Sequence, residues 1–114
     1  MKRGEVWLVN LDPAVGAEIK KTRPAVIVSN NVLGRLPLKI IVPITGWDER
    51  FKDADWHVKI PVSKTTGLVK DSSADTFQVR SVAKLRLVKK LGVLSADEME
   101  KIAEGLRIVL ELGE

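Results

Sequence analysis

One stretch of the sequence, residues 18–30, reads Glu18-Ile19-Lys20-Lys21-Thr22-Arg23-Pro24-Ala25-Val26-Ile27-Val28-Ser29-Asn30. It passes from a charged segment into a run of β-branched residues, with Arg23 at the junction. Pro24 biases Arg23 away from helical geometry and suits the start of a strand. The apolar run over residues 24–29 predicts a strand buried on both faces. An arginine between a mobile basic loop and a rigid strand is well placed to hold an anion.

Short strand patterns surround this stretch. Residues 5–11 predict a first strand, and residues 16–22 predict a mobile loop. Residues 38–45 predict a third strand, in which Pro43 suggests an edge strand or a bulge. Further strands are predicted at residues 56–60 and within 72–82, of which 77–82 is the clearest part.

The C-terminal segment predicts one amphipathic helix. Ser95 and Glu98 have the spacing of a capping box, and Gly113 is expected to close the helix. Apolar residues follow at helical spacing, namely Met99, Ile102, Ala103, Leu106, Val109 and Leu110. Several short strands before such a helix predict a mainly β domain, a small strongly bent sheet or barrel with the helix laid across it, over residues 1–114.

Composition limits the classes of function. The 114 residues contain no cysteine, which excludes disulfides, thiolate metal sites and cysteine nucleophiles. The net charge of +4 favours polyanions such as nucleic acid, although solvated lysines explain it equally well. Without a membrane-length apolar run or a signal-peptide pattern, the chain is expected to be cytoplasmic, with no membrane partner.

Metal chemistry is disfavoured by the residue types. His57 is the single histidine, and no pair of acids has a recognised ligand spacing, so neither a metal site nor a cofactor is predicted. A single histidine also excludes RNA cleavage by a pair of histidines. Charge stabilisation by a fixed cation is the device that remains.

Arg23 admits two interpretations from spacing alone. Its guanidinium can hold two phosphate oxygens at once, or it can pair with a neighbouring carboxylate, for which Glu18 is the obvious candidate. Thr45, at the end of the third strand, either binds a substrate or caps a turn.

Other candidates also remain open between binding and structure. Trp47 and Trp56 either stack on unpaired bases or anchor the loop between them. Gln78 and Arg80 are predicted to share one strand face, which is either an RNA surface or a solvated face.

Several motifs occur in a fixed order along the chain: Arg3-Gly4-Glu5-Val6-Trp7, Leu11-Asp12-Pro13-Ala14-Val15-Gly16-Ala17-Glu18, Lys21-Thr22-Arg23-Pro24-Ala25-Val26-Ile27-Val28-Ser29-Asn30, Val42-Pro43-Ile44-Thr45, Gly67-Leu68-Val69-Lys70-Asp71-Ser72 and Gln78-Val79-Arg80-Ser81-Val82. In this order they resemble the MazF/PemK-like family of toxin endoribonucleases over essentially the whole chain. Phe77 departs from the family pattern, since many members have an acidic residue there.

The resemblance implies an SH3-like small β-barrel with a C-terminal amphipathic helix, and a homodimer. It implies a type II toxin that cleaves single-stranded RNA without a metal, leaving a 2′,3′-cyclic phosphate and a 5′-hydroxyl, and a cognate antitoxin that occupies the RNA groove. It places the catalytic arginine at Arg23, the catalytic threonine at Thr45 and the family's loop glutamate at Glu18.

These expectations give a mechanistic hypothesis. Arg23 stabilises the charge that develops on the phosphate, and Thr45 donates a hydrogen bond that orients it. Proton transfer has no assigned group, Glu18 being the acid nominated for it. RNA binding is assigned to Lys20, Lys21, Trp47, Gln78 and Arg80. The alternative is a non-catalytic barrel that binds nucleic acid or protein, as related poisons of DNA gyrase do.

Overall fold

The computed structural model describes residues 1–113, which contain seven strands and one α-helix. The elements in chain order are β1 (Glu5–Asn10), β2 (Thr22–Ile27), β3 (Leu38–Gly46), β4 (His57–Ile60), β5 (Ser72–Asp75), β6 (Arg80–Ala83), β7 (Leu87–Val93) and α1 (Ala96–Leu110). The prediction of a mainly β chain with one C-terminal helix is confirmed. No helix in the part of the chain that the structure describes is long and apolar enough to cross a membrane.

All strand pairs are antiparallel, and β3 is the centre of the sheet. The order is β4-β5-β3-β2-β1-β7, with β6 also paired to β3. Within residues 1–113 no pairing joins β4 to β7, so the hydrogen-bonded path is open at both ends. β3 pairs with β6 along residues 38–41, with β2 along 41–43 and with β5 along 44–46.

Pro43 does not mark an edge strand or a bulge, which corrects the expectation from the sequence. It is buried in the central strand, opposite Ala25 of β2. On the other side of β3, the pairing with β6 ends at Ile41 and that with β5 begins at Ile44. Pro43 therefore lies in a gap between two partner strands, where a residue without an N–H is tolerated.

The alternation of β2 and β3 divides the apolar core into two clusters. Val26 and Val42 belong to the cluster that includes Ile102 of α1, whereas Ala25 and Ile41 belong to a second cluster with Val9 and Leu11 of the first strand region. Residues 25–28 are all buried, so the prediction of a strand covered on both faces is confirmed.

The capping box of α1 is present as predicted. Ser95 Oγ accepts a hydrogen bond from the Glu98 N–H at 3.1 Å, and Glu98 Oε1 accepts one from the Ser95 N–H at 2.8 Å. The end of the helix differs from the prediction. Glu111, not Gly113, takes the left-handed conformation (φ 54°) that ends the helix, and Leu110 is 53% exposed instead of completing the apolar stripe.

The predicted strand within residues 72–82 is two strands separated by a 3-10 helix, Thr76–Gln78. Asp75 starts this helix by accepting a hydrogen bond from the Phe77 N–H at 3.1 Å. Thr76 is fully buried and donates to the Trp56 carbonyl at 2.7 Å. A Cβ at Gly105 of α1 would lie 2.9 Å from the Thr76 side chain, so only glycine allows this close packing.

Glu5 is held at the start of β1 by three donors. Its carboxylate lies 2.9 Å from Trp7 Nε1, 3.3 Å from Lys90 Nζ and 3.4 Å from the Met1 amino group, and its side chain is 12% exposed. Burial of the carboxyl raises its pKa. Hydrogen bonds from Trp7, the Lys2 backbone and Lys90, together with the charge of the amino terminus, lower it by more than burial raises it, so that the pKa is about 2.

The lowered pKa of Glu5 predicts an acid-dependent loss of stability. A carboxyl whose pKa is lower in the folded than in the unfolded state stabilises the fold above the unfolded pKa, and this contribution disappears as pH falls from the ordinary glutamate pKa of 4.5 to about 2. The Glu5→Gln variant should lose about 3 kcal/mol of unfolding free energy at pH 7 and should lack this dependence. Urea unfolding of the wild type and of Glu5→Gln at several pH values measures the unfolding free energy and its dependence on pH.

The exposed Glu100→Gln variant is the matched control and should unfold as the wild type does. Equal slopes of unfolding free energy against pH for the wild type and Glu5→Gln would contradict the assignment.

Candidate functional site

Arg23 and Thr45 line one cleft at the point where β2 and β3 separate. The last recorded pair of the two strands is Ala25 with Pro43. Arg23 and Thr45 lie just beyond the end of this pairing, two residues from Ala25 and Pro43 respectively. Both side chains line a cleft of about 240 Å³, here called the Arg23–Thr45 cleft, whose other lining residues are Leu8, Pro24, Ile44, Gly46, Gly67, Leu68, Val69, Lys70, Ser72 and Leu91.

The cleft contains two cations and no carboxylate among its lining residues. Lys70 joins Arg23 there, and a side-chain carbon on Gly46 would lie only 3.1 Å from Lys70 Nζ, so glycine leaves room for the lysine. Lys70 was not among the site residues predicted from the sequence, although it lies in one of the ordered motifs. Two cations in a cleft whose lining has no carboxylate form a site suited to an anion.

The structure does not pair Arg23 with Glu18. Arg23 Nε donates to the Lys20 carbonyl over 3.4 Å, whereas Glu18 Oε1 accepts from the Val15 N–H at 2.7 Å within its own loop. None of the ion pairs found among residues 1–113 includes Arg23. Arg23 is exposed, so its guanidinium is accessible to a ligand.

Gln78 binds the loop between β1 and β2. Its Oε1 accepts from the Ile19 N–H at 2.6 Å, and its Nε2 donates to the Ala17 carbonyl over 3.2 Å. Gln78 belongs to the 3-10 helix and Arg80 begins β6, so the prediction that they share one strand face is wrong. The reason is the Asp75 cap, which starts a 3-10 helix at Thr76, so Gln78 lies outside the strand that Arg80 begins. The loop predicted to be mobile is thus attached at its middle.

The base of the same loop is closed by backbone contacts. Asp12 Oδ1 accepts from the Lys21 N–H at 2.9 Å, and the Leu11 N–H donates to the Lys21 carbonyl at 2.9 Å. Lys21 has a φ of 70°, a left-handed conformation that costs energy for a residue with a side chain. Lys20 and Lys21 are both exposed beside Arg23.

Two arginines hold the end of β1. Arg80 Nη1 donates to the Leu11 carbonyl over 3.3 Å, and Arg86 Nη1 donates to the carbonyls of Asn10, at 3.0 Å, and Asp12. The sequence analysis missed Arg86, since no local pattern relates it to a strand more than 70 positions earlier. Arg80 was predicted to bind RNA, and one of its N–H groups is already used in the hydrogen bond to the Leu11 carbonyl.

Trp47 packs within its own loop. Its Nε1 donates to Glu49 Oε1 at 2.9 Å, Lys59 Nζ lies 5.0 Å from its ring centroid, and Phe51 meets it edge-on with centroids 5.9 Å apart. These contacts favour the anchoring interpretation over a free stacking platform. Phe51 in turn stacks on His57 with centroids 3.8 Å apart.

A second groove lies beside the cleft. This Phe77 groove has a volume of about 530 Å³ and is lined by Val15, Ala17, Glu18, Ile19, Pro43, Phe77, Gln78, Val79 and Arg80. Phe77 is 68% exposed, and its ring lies 6.4 Å from that of Trp56. Glu18 therefore lines this groove and not the Arg23–Thr45 cleft. Among residues 1–113 no group of three or more His, Cys, Asp or Glu side chains is arranged to hold a metal ion.

Comparison with known proteins decides the family. The family model described as PemK-like, MazF-like toxin of type II toxin-antitoxin system matches residues 2–110. The chain belongs to this family. The resemblance inferred from the ordered motifs is thereby confirmed.

Similar proteins cover nearly the full chain. Endoribonuclease MazF9 of Mycobacterium tuberculosis is 37% identical over 118 residues, covering 98% of each chain. Endoribonuclease EndoA of Bacillus subtilis is 34% identical and covers 98% of this chain and 96% of its own.

Solved structures of PemK/MazF-like proteins share the fold. The crystal structure of MazF from Deinococcus radiodurans superposes with a TM-score of 0.81 at 22% identity, covering 98% of this chain and 97% of that one. An endoribonuclease in complex with its cognate antitoxin from a mycobacterial species superposes with a TM-score of 0.79 at 21% identity, covering 100% and 98%.

The two hydrogen bonds of Gln78 predict how the loop responds to substitution. Gln78→Ala removes both, so the Ile19 amide should exchange with solvent roughly fivefold to tenfold faster, the effect of losing about one neutral hydrogen bond. Gln78→Glu keeps the acceptor and should preserve most of the protection. Hydrogen exchange followed by NMR measures both, with the Val26 amide as internal reference. Unchanged exchange at Ile19 in Gln78→Ala would show that the contact does not hold the loop.

Proposed function

We propose that this toxin-family member is an endoribonuclease that cleaves single-stranded RNA. The observation that carries the proposal is that Arg23 and Thr45 line one cleft, which has two cations and no carboxylate in its lining. A phosphodiester is the anion that a toxin of this family meets in RNA, and its relatives MazF9 and EndoA are named endoribonucleases.

In the proposed reaction the 2′-hydroxyl of one nucleotide attacks its own 3′-phosphorus. The bond to the 5′-oxygen of the next nucleotide breaks, which leaves a 2′,3′-cyclic phosphate and a 5′-hydroxyl. Arg23, supported by Lys70, stabilises the negative charge on the non-bridging oxygens. Thr45 donates a hydrogen bond that orients the phosphate for in-line attack.

Glu18 is the candidate for proton transfer. Its carboxylate now accepts from the Val15 N–H and lines the Phe77 groove, so this role requires the loop to turn towards the cleft. An RNA chain that extends from the cleft enters the neighbouring groove, because Thr45 and Pro43 are two residues apart on β3. There Gln78 and Arg80 meet the RNA, while Lys20, Lys21 and Trp47 contact its flanks.

We further propose that the bent sheet is the SH3-like small β-barrel implied by the resemblance and that residues 1–114 act as one domain in the cytoplasm. β1, β2 and β3 each contribute residues to both apolar clusters, which supports a single folding unit.

Two protein partners belong to the proposal. A cognate antitoxin covers the cationic cleft with an acidic or extended segment; a mycobacterial endoribonuclease of the same fold has been solved in complex with its cognate antitoxin. A second copy of the chain covers the apolar patch at the start of β3, whose members are Val32, Leu33, Leu36, Leu38, Ile40 and Leu85, each at least 43% exposed. Patches of this kind mark interfaces.

Substitution at the cleft tests the enzymatic proposal. Arg23→Ala and Thr45→Val should each reduce the cleavage rate of a short single-stranded RNA by about 10²-fold to 10³-fold, as removal of one charge-stabilising donor does in other enzymes. The wild type should cut in EDTA, and DNA of the same sequence should bind uncut because it lacks the 2′-hydroxyl. Gel analysis with identification of a cyclic-phosphate end measures the reaction.

Lys52→Ala, an exposed lysine outside both grooves, is the charge-matched control and should cleave normally. RNA binding without any cleavage by the wild type would instead favour the non-catalytic alternative. Wild-type rates in Arg23→Ala, or an absolute requirement for magnesium, would overturn the mechanism.

The proposed dimer predicts that a charge on the apolar patch separates the subunits. Leu85 is 96% exposed, and Leu85→Asp would bury an unpaired carboxylate in the interface, so this variant should sediment as a monomer at micromolar concentration. Val62→Asp, on an exposed position outside the patch, should remain dimeric. A wild-type protein that sediments only as a monomer would contradict the proposal.

A further inference from the structure

Lys39 has a largely buried side chain, and no residue within 1–113 forms an ion pair with its ammonium group. The residue lies in β3 and is only 4% exposed. None of the side-chain hydrogen bonds and ion pairs found within residues 1–113 involves its ammonium group, although a buried charge is costly unless it is paired. No solvent-sealed side-chain nitrogen or oxygen in this part of the chain lacks a partner. The Lys39 ammonium therefore reaches solvent through the cavity that it lines.

The cavity, here called the Lys39 cavity, has three lysines and no acid among its lining residues. Its volume is about 550 Å³, and its lining consists of Met1, Lys2, Asn31, Gly34, Lys39 and Lys84. Lys84 is fixed by a hydrogen bond from its Nζ to the Gly34 carbonyl at 2.7 Å. Asn31 Oδ1 accepts from the Arg3 N–H at 2.7 Å, which leaves its amide NH₂ able to donate to a ligand.

The acid recorded at this end of the molecule is already engaged. Glu5 lies 3.4 Å from the Met1 amino group, but it also contacts Trp7 and Lys90 and does not line the cavity. The Lys39 cavity shares no lining residue with the Arg23–Thr45 cleft or the Phe77 groove. Its positive charge is therefore not part of the proposed catalytic site.

We propose that the Lys39 cavity binds a phosphate group. Lysine binds phosphate as a point charge with three donors, and three lysines around one cavity exceed the charge of a single phosphate. The volume lies within the range of small-molecule sites. The group comes either from free phosphate or from an RNA chain bound by the same molecule. The bound anion joins β3 to Lys84 of the 3-10 helix Lys84–Arg86 and to the N-terminal segment.

Thermal unfolding in inorganic phosphate tests the site. At constant ionic strength, saturating phosphate should raise the melting temperature of the wild type by about 4 °C relative to chloride, because a ligand that binds only the folded state stabilises it. Lys39→Met and Lys84→Gln should lose this response. Lys52→Met, which removes a charge outside the cavity, should keep it. NMR shifts of the Asn31, Lys39 and Lys84 amides on phosphate addition locate the site.

A second measurement distinguishes the two sources of phosphate. Affinity for a 2′-O-methyl RNA, which cannot be cleaved, is measured against salt for the wild type and Lys39→Met. A phosphate of the RNA in the cavity predicts that the variant lowers the slope of log affinity against log salt by about one, and that inorganic phosphate competes. An unchanged slope with a lost phosphate response assigns the site to free phosphate.

Two results would overturn the proposal. One is a wild-type melting temperature that does not respond to phosphate beyond its response to chloride. The other is an equal phosphate response in the wild type, Lys39→Met and Lys84→Gln. Loss of cleavage in Arg23→Ala affects neither of these results. The phosphate site in the Lys39 cavity and the proposed cleavage activity are therefore tested independently.

Discussion

The register between β2 and β3 is the constraint on which the rest of the molecule depends. It places Ala25 opposite Pro43 and divides alternate residues of both strands between the two apolar clusters. A shift of one residue would exchange the two faces and place each side chain in the other cluster, whose space it does not fit, so packing specifies the register. Arg23 and Thr45 lie just beyond the end of this pairing, two residues from Ala25 and Pro43 respectively. Core packing therefore fixes the backbone from which both residues of the cleft extend.

The loop that carries Glu18 depends on a longer series of contacts. Gly105 allows α1 to pack closely on Thr76, and Thr76 lies in the 3-10 helix that presents Gln78. Gln78 then binds the loop backbone on both sides of Glu18. A change in the packing of the C-terminal helix can therefore reach the candidate site through two contacts. Coupling of this kind is physical because each step is a defined contact.

Features that depend on residues close together in the chain could be predicted from the sequence, whereas features that depend on distant residues could not. The capping box and the buried strand β2 were predictable because Ser95 and Glu98, and the apolar run after Arg23, are local signals. The break after Asp75 combines the Asp75 cap with close packing of Thr76 against Gly105, thirty positions after Asp75, and strand propensity does not detect such a distant contact. The alternatives for Arg23 and Glu18 were separated only when the structure showed the Glu18 carboxylate turned to the Val15 N–H.

The net charge of +4 matters for anion binding at the sites whose lining residues include no carboxylate. Arg80 and Arg86 donate to backbone carbonyls at the end of β1, so part of their hydrogen-bonding capacity serves the fold. The Arg23–Thr45 cleft and the Lys39 cavity, by contrast, contain cations and no acid among their lining residues. Unneutralised cations in a concave site focus an attractive field on an anion more strongly than the same charges dispersed in solvent. The distribution of acids, more than the number of lysines and arginines, therefore identifies the anion sites of this protein.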